Sequence, residues 1–333
     1  IFRPTCFFFI REGRTHCSSE EGFIVTMVKL ATGFPNTKLC YMFGEFRDQR
    51  ISDIYRFTIG LLDDKAENFL HGPGCMEQWR DYFPEFSSMI ERKLADEAYG
   101  RLLFDNFRIV GFVDCKIVDT CRPGSGPAED RPGAPRHEHA DVIQESVYSG
   151  YTKRHGLKIL TVTLPNGLIG ALYGAISARE NDNGALNLSN LNVDMMRLQP
   201  EVTQARQNGE NMLYYSIYGD AIFPLLNCIT GRHRQPLQGE LTEREDAENF
   251  AMRRIRTSAE WPYETATNLF RILESKYNKH LLGHNREPNL VVGQQLRVLM
   301  FMYNIYVYLN GSKFSRFFNI IPPTLEEYLQ VED

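Results

Sequence analysis

The sequence predicts an α/β protein, with a mixed sheet flanked by helices and a small all-helical unit ahead of it. Three observations carry that expectation. Two apolar runs, residues 109–113 and 213–218, are rich in β-branched and aromatic side chains, read as buried strands, and close on Asp114 and Asp220. Between them, residues 158–164 and 168–177 read as strands flanking Pro165-Asn166-Gly167, the composition of a hairpin turn. Apolar residues at three- and four-residue spacing dominate before the first run and after the second, as helices require.

Taken in order, residues 1–20 show no pattern and are expected to be irregular. Three helices are expected next. A short apolar one over 23–31 is broken by Gly33-Phe34-Pro35-Asn36, and a second, over 37–43, has Asn36 or Thr37 placed to cap it. After Gly44 a long third helix spans 48–69, with Ile51, Ile54, Tyr55, Thr58, Leu61 and Leu62 on its apolar side. This is the layout of a helix-turn-helix, although a small helical bundle packing on the main domain has the same signature. A helix over 89–107 should connect this unit, residues 21–104, to the first strand. Residues 121–136 read as a Pro- and Gly-rich loop and 147–151 as a strand. Residues 184–208 read as helix interrupted at Pro200, and 228–245 as polar turns. Helices over 247–255, 269–277 and 294–309 complete a main domain of residues 105–310. The stretch 311–333, with Glu326, Glu327, Glu332 and Asp333, reads as an acidic, mobile tail.

With 333 residues, 43% of them hydrophobic, the chain can bury a full core. Its formal net charge of −5 does not advertise nucleic-acid binding, so any DNA contact must come from local patches. Seven cysteines without a CxxC spacing fit reduced thiols better than a disulfide framework. The most apolar stretch, 296–309, is broken by Arg297 and Asn304 and is not expected to span a membrane. The chain begins at Ile1 rather than Met, and its N-terminus is read as incomplete.

The chemistry is expected around the carboxylates. Two strands ending in Asp114 and Asp220 can place hard oxygen ligands side by side, as a Mg²⁺ site for phosphoryl transfer requires. Glu260, which follows Arg253-Arg254-Ile255-Arg256 in a helical segment, is the third candidate. Three carboxylates in one pocket repel each other and take up protons unless cations balance them. Each acid by itself also reads as a helix cap or a surface ion pair. Lys153, Arg154, His155 and Lys158 form a candidate phosphate-contacting strand edge, or an ordinary solvated face. Arg253, Arg254 and Arg256 could neutralise substrate phosphates, or pair with Asp246 or Glu248. Arg47, Arg50 and Arg56, around the start of the third helix, are candidates for DNA phosphate contacts. His137 and His139 have no second ligand pair nearby, so no zinc site is expected there.

Several motifs recur in a telling order: Gly111-Phe112-Val113-Asp114, Thr120-Cys121-Arg122-Pro123, and Tyr148-Ser149-Gly150-Tyr151-Thr152-Lys153-Arg154-His155-Gly156-Leu157-Lys158. Thr163-Leu164-Pro165-Asn166-Gly167, Leu172-Tyr173-Gly174, Tyr218-Gly219-Asp220 and Ala259-Glu260-Trp261 follow. Over residues 105–310 this order resembles the DDE-superfamily endonucleases of the Harbinger-transposase type, and 27–62 is similar to the helix-turn-helix that precedes their catalytic domain. The resemblance implies an RNase H-like fold, two divalent cations (Mg²⁺ or Mn²⁺), cleavage and transfer of DNA strands, and a triad of Asp114, Asp220 and Glu260. It also implies a second DNA-binding partner protein and a nuclear location, for which no import signal is read. There are departures. Cys115-Lys116 stand where the family usually has Gly-Thr, and a lysine there could compete with a cation. Pro262 is expected to kink the helix beside Glu260. Asp119 and Glu264 are possible substitute ligands, while Asp182, aligned with a recurrent family acid, reads as a loop or helix-cap residue rather than a ligand. The alternative is therefore a decayed or domesticated transposase that binds DNA or a protein without catalysis.

Overall fold

The computed structural model describes residues 7–10, 15–45, 47–72, 74–95, 107–123, 144–236, 239–274, 279, 281 and 291–329. The first stretch is not irregular throughout: β1 (Phe7–Ile10) and β2 (Thr15–Ser18) form an antiparallel ladder that pairs Phe7 with Ser18 and Ile10 with Thr15. Ser18 then opens α1 (Ser19–Thr32) by accepting the Glu21 N–H on its hydroxyl, and Gly33 closes it in the left-handed conformation. The helix α2 (Asn36–Phe43) is entered from Pro35 without a side-chain cap, because the Asn36 side-chain oxygen accepts the Lys29 ammonium instead.

The long helix α3 (Asp48–Leu70) serves two cores. Ile51 and Ile54 pack with Val25 of α1 and Leu39 of α2 in a small cluster. Tyr55, Ile59, Leu62, Ala66 and Leu70 belong to the main core. A buried Asp63 on the same helix accepts two hydrogen bonds, of 2.7 and 2.6 Å, from the Arg297 guanidinium. Spacing alone showed the apolar side of α3 but not that it continues into the core of the sheet.

After a 3₁₀ turn (Glu77–Tyr82), α4 (Phe83–Leu94) starts earlier than expected, with Pro84 in its first turn, where no backbone N–H is needed. The expected helix over 89–107 is corrected at its far end: Phe107 begins β3 (Phe107–Asp119), and 96–106 lie outside the described residues. Asp114 does not end this strand. The unbroken buried run stops at Val113, but antiparallel pairing with β5 (Arg154–Thr163) carries the strand through Asp114, opposite Thr161, to Asp119, opposite Gly156. The strand expected over 147–151 shrinks to β4 (Tyr148–Ser149). The hairpin turn stands as expected: Gly167, with a positive φ of 87°, donates its N–H to Leu164 O before β6 (Ile169–Ser177). An alanine Cβ at Gly167 would come within 2.0 Å of the Ser312 hydroxyl, so only glycine fits.

The expected helix over 184–208 is three pieces: α5 (Asp182–Ser189), α6 (Leu191–Arg197) and α7 (Pro200–Gln207). Asn190 in left-handed backbone makes the first break, and Pro200 starts α7. Next comes β7 (Tyr214–Gly219), then β8 (Ile229–Gly231), a short strand inside the segment expected to be only turns. The main sheet runs β6-β5-β3-β7-β8, with β4 also pairing with β5. Both β3 and β6 are antiparallel to β5; β7 is parallel to β3, and β8 to β7. This is the mixed α/β architecture expected.

The rest is helical. Thr242 and Glu245 form a reciprocal capping box that opens α8 (Glu243–Thr257). A single 3₁₀ turn (Ser258–Glu260) joins it to α9 (Trp261–Leu269). Where a helix over 269–277 was expected, the described residues hold only a 3₁₀ turn (Arg271–Leu273). In α10 (Val291–Asn310) the two polar residues that interrupt the apolar stretch have structural partners. Arg297 holds Asp63, and buried Asn304 hydrogen-bonds both the N–H and the carbonyl of Ile169 on β6. Among the described residues no helix is long and apolar enough to cross a membrane. The stretch read as a mobile tail carries α11 (Lys313–Phe318) and α12 (Leu325–Leu329), which bury Phe314, Phe318 and Tyr328 in the main core. Its charge distracted from these aromatics; residues 330–333 lie outside the described set.

Candidate active site

Parallel pairing decides where the first two acids stand. Phe112 is opposite Tyr218, the last pair of the ladder, so Asp114 and Asp220 each follow two residues on at the same end of the strand pair, Asp220 just past the end of β7. The close approach depends on Gly219: a Cβ there would lie 2.9 Å from Val113 and 2.5 Å from the Phe223 ring. The third acid arrives from the helices. Glu260 closes the 3₁₀ turn between α8 and α9, which packs against β3, and its carboxylate reaches Asp114 electrostatically. Pro262 does not kink this junction, because it falls in the first turn of α9.

The electrostatics are lopsided. Burial pushes the Asp114 carboxyl up to about 6, and the carboxylates of Glu260 and Asp182 add to the rise. The Cys115 N–H and the Arg256 guanidinium act against it. Arg256 also stands 3.9 Å from Asp220, so one cation attends both aspartates. Asp220 accepts the N–H of Ala221 at 2.6 Å, which orients its carboxylate at the mouth of the loop after β7. Tyr263, one helical turn after Glu260, donates to the Asp114 carbonyl at 3.3 Å and meets the Thr161 hydroxyl at 2.6 Å. It pins the helices to the strand pair. Sequence reasoning missed Tyr263 and Thr161; the three-residue step from Glu260 was the available signal.

On the neighbouring strand, Lys158 is buried and donates to Asp182 at 2.6 Å and to the Glu180 carbonyl at 2.5 Å. It therefore fastens the start of α5, and its burial fits neither the phosphate-contacting edge nor the solvated face that the sequence allowed. Asp182 is in the first turn of that helix, as expected of a cap-region residue, with Asn181 as the cap. The Cys115 thiol bonds with Asp182, and burial holds it far above the ordinary thiol range. Lys116, two residues past Asp114, is exposed.

The other candidates are scattered. Arg154 pairs with Asp119 at 3.1 Å, so Asp119 is engaged away from the acids. His155 packs on Tyr148 with ring centroids 5.2 Å apart, and burial together with Arg122 lowers its pKa. Lys153 and Arg253 are exposed, as is Glu264 on α9; the Arg254 side chain and His137 and His139 lie outside the described set. Arg47 and Arg56 are exposed, whereas Arg50 is held by Glu45 and, at 3.0 Å, by Glu21. The three arginines of the first helices are thus not equivalent.

The donor set suits a hard divalent cation: carboxylate oxygens only, one of them desolvated and short of positive charge. Asp114 and Asp220 would hold it, with Glu260 completing the set. Among the described residues, however, no group of three His, Cys, Asp or Glu side chains is placed to hold a metal ion, and Arg256 stands 3.9 Å from Asp220. Residues 113–295, more than half of the chain, match the family model of the DDE superfamily endonucleases. No curated protein and no solved structure matches the chain. Endonucleases of this superfamily act on DNA and generally use divalent metals. The match begins one residue before Asp114 and takes in Asp220, Glu260 and every strand from β4 to β8, so the chain belongs to the DDE superfamily endonucleases.

Proposed function

We propose that this protein is a divalent-metal-dependent DNA nuclease of the Harbinger-transposase type, with Asp114, Asp220 and Glu260 as its metal-holding acids. The observation that supports the reading is the register of β3 and β7, which brings Asp114 and Asp220 to the same end of the strand pair, with Glu260 in electrostatic reach of Asp114. The strand order β6-β5-β3-β7-β8, an antiparallel meander continued by two parallel strands, supports an RNase H-like catalytic domain. When bound at these acids, two divalent cations would supply an activated oxygen nucleophile at neutral pH and charge stabilisation for the leaving oxygen of a phosphodiester. The chain's own residues do the positioning. Tyr263 fixes Asp114 through its backbone carbonyl, and Ala221 orients Asp220. Arg256 gives up the aspartates and turns to substrate phosphate, with Arg253 beside it on α8. The helices α1 to α3 act as the helix-turn-helix, contacting DNA phosphates through Arg47 and Arg56, with Arg50 bracing the fold through Glu21 and Glu45. A nuclear site of action and a second DNA-binding partner belong to the same reading.

One observation favours a second reading, a DNA- or protein-binding relative that has lost the reaction: the Arg256 guanidinium stands against the aspartates, where it competes with a cation for them. Thermal melts and plasmid nicking, with and without Mn²⁺, separate the two. Mn²⁺ at a hundred times its Kd stabilises the wild type by about 2.7 kcal/mol. Asp114→Asn keeps the fold, loses most of that shift, and nicks at least about 10²–10³-fold more slowly. A wild type indifferent to Mn²⁺ supports the decayed form.

A further inference from the structure

We propose that the turn between β4 and β5 is a base-stacking site for single-stranded or frayed DNA, with Tyr151 as its platform. This rests on the DNA-nuclease reading above and adds to it a place where an unpaired base is held.

The sheet is stepped at the acids. The strand β7 stops at Gly219, whereas β3 runs on to Asp119 and stays paired with β5, which in turn pairs with β6 as far as Leu157–Ser177. Five residues of strand beyond Asp114 make an arm of about 17 Å, and the β4–β5 turn is at its end. A DNA strand bound at the acids and running along this arm reaches the turn within about five nucleotides at 3.4 Å each.

The turn displays its tyrosine on a rigid base. Ser149, itself buried, accepts the Lys153 N–H on its carbonyl at 2.8 Å and the Thr152 N–H on its hydroxyl at 3.3 Å. Lys153 is held at a φ of +58°, which a non-glycine residue adopts only where the surroundings impose it. Behind the turn, Tyr148 packs on His155. Tyr151 itself is 96% exposed, the most exposed of the large hydrophobic side chains described. Its ring contributes nothing to the core and has a free face for a base.

The charge around it has the right sign. Residues 115–123 and 148–155 carry Lys116, Arg122, Lys153 and Arg154 against a single carboxylate, Asp119, in a chain whose formal net charge is −5. Lys153 makes no ion pair among the described residues. Cations that follow a backbone beside an exposed aromatic ring form the sequence-tolerant mode of single-strand binding, in which stacking is worth roughly 1–3 kcal/mol per base.

Binding is measured in EDTA, so that no cleavage occurs, to a labelled 20-base-pair duplex and to the same duplex with a six-nucleotide single-stranded extension carrying 2-aminopurine. Wild type prefers the extended DNA and quenches the 2-aminopurine. Tyr151→Ala loses about 5- to 150-fold in affinity for the extended DNA only. Tyr151→Phe keeps both the preference and the quench, and Lys153→Ala weakens both DNAs alike, with a salt slope about one unit shallower. An unchanged preference in Tyr151→Ala, or equal loss on both DNAs, overturns the stacking site while leaving the nuclease intact if wild type still nicks with Mn²⁺. A wild type that binds neither DNA overturns both readings.

Discussion

Asp63 and Asp114 are both carboxylates withdrawn from water, and the fold treats them oppositely. Asp63, on α3, is 3% exposed and meets the Arg297 guanidinium of α10 through two hydrogen bonds. Asp114, on β3, has other carboxylates for company and shares one distant cation, so its carboxyl is pushed up to about 6. Burying a charge is unfavourable unless geometry and hydrogen bonds compensate it. The first site is compensated and joins the N-terminal helices to the sheet's helical cover. The second is left short of positive charge at the place where the sheet is stepped open. The difference separates a structural ion pair from the acids proposed to hold a cation.

The sharpest way to break the comparison is to leave each site with the wrong charge count. Asp63→Ala leaves a half-buried guanidinium without its partner and should cost about 3 kcal/mol, the low end for breaking a buried pair, read as a lower urea midpoint. The Mn²⁺ shift of the remaining folded protein should be unchanged. A loss below about 1 kcal/mol would mean that the pair does not hold α3 to α10.

The pH dependence is the next largest effect. Because the folded-state pKa of Asp114 is raised, the folded protein binds the extra proton between about 3.8 and 6, and stability falls as pH rises through that window. At pH 7 without metal, Asp114→Asn should therefore be more stable than wild type by on the order of 3 kcal/mol. That advantage should shrink as pH drops and vanish near pH 4. Measuring the mutant-minus-wild-type difference cancels the other carboxylates, and Mn²⁺ at pH 7 should abolish it too. A difference that is flat in pH would place Asp114 in water.

The smallest effect concerns Arg256. Its contact with Asp220 is long and partly exposed, so screening limits it to about 1 kcal/mol. Arg256→Gln should raise Mn²⁺ affinity about fivefold, by titration calorimetry, as the competing cation is removed. Weaker Mn²⁺ binding would instead make Arg256 a support of the metal site.

Much of this was legible in the chain. The hairpin at Pro165-Asn166-Gly167 follows from turn chemistry, and α1 to α3 from apolar spacing and breakers. The acids Asp114 and Asp220 stood out because each ends an apolar run, and the unbroken buried run of β3 does end at Val113. What failed was judged by the same local signals. The chain 311–329 looked like a tail because of its acids, yet Phe314, Phe318 and Tyr328 are core. Lys158 looked like one cation in a basic strand edge and is buried against Asp182.

By itself, the sequence determined the central strands and the longer helices, the order of the three acids along them, and the turn that folds β5 onto β6. These depend on local periodicity and backbone chemistry, which act over a few residues. Tertiary structure alone decided that β3 runs past Asp114, that β8 exists, that Arg256 attends the aspartates, and that Tyr151 stands free at the end of an arm. Each of those depends on a partner far away in the chain: a neighbouring strand supplies the hydrogen bonds, and an opposite charge or its absence sets whether a buried group is at rest. A residue's own neighbours carry no record of such contacts.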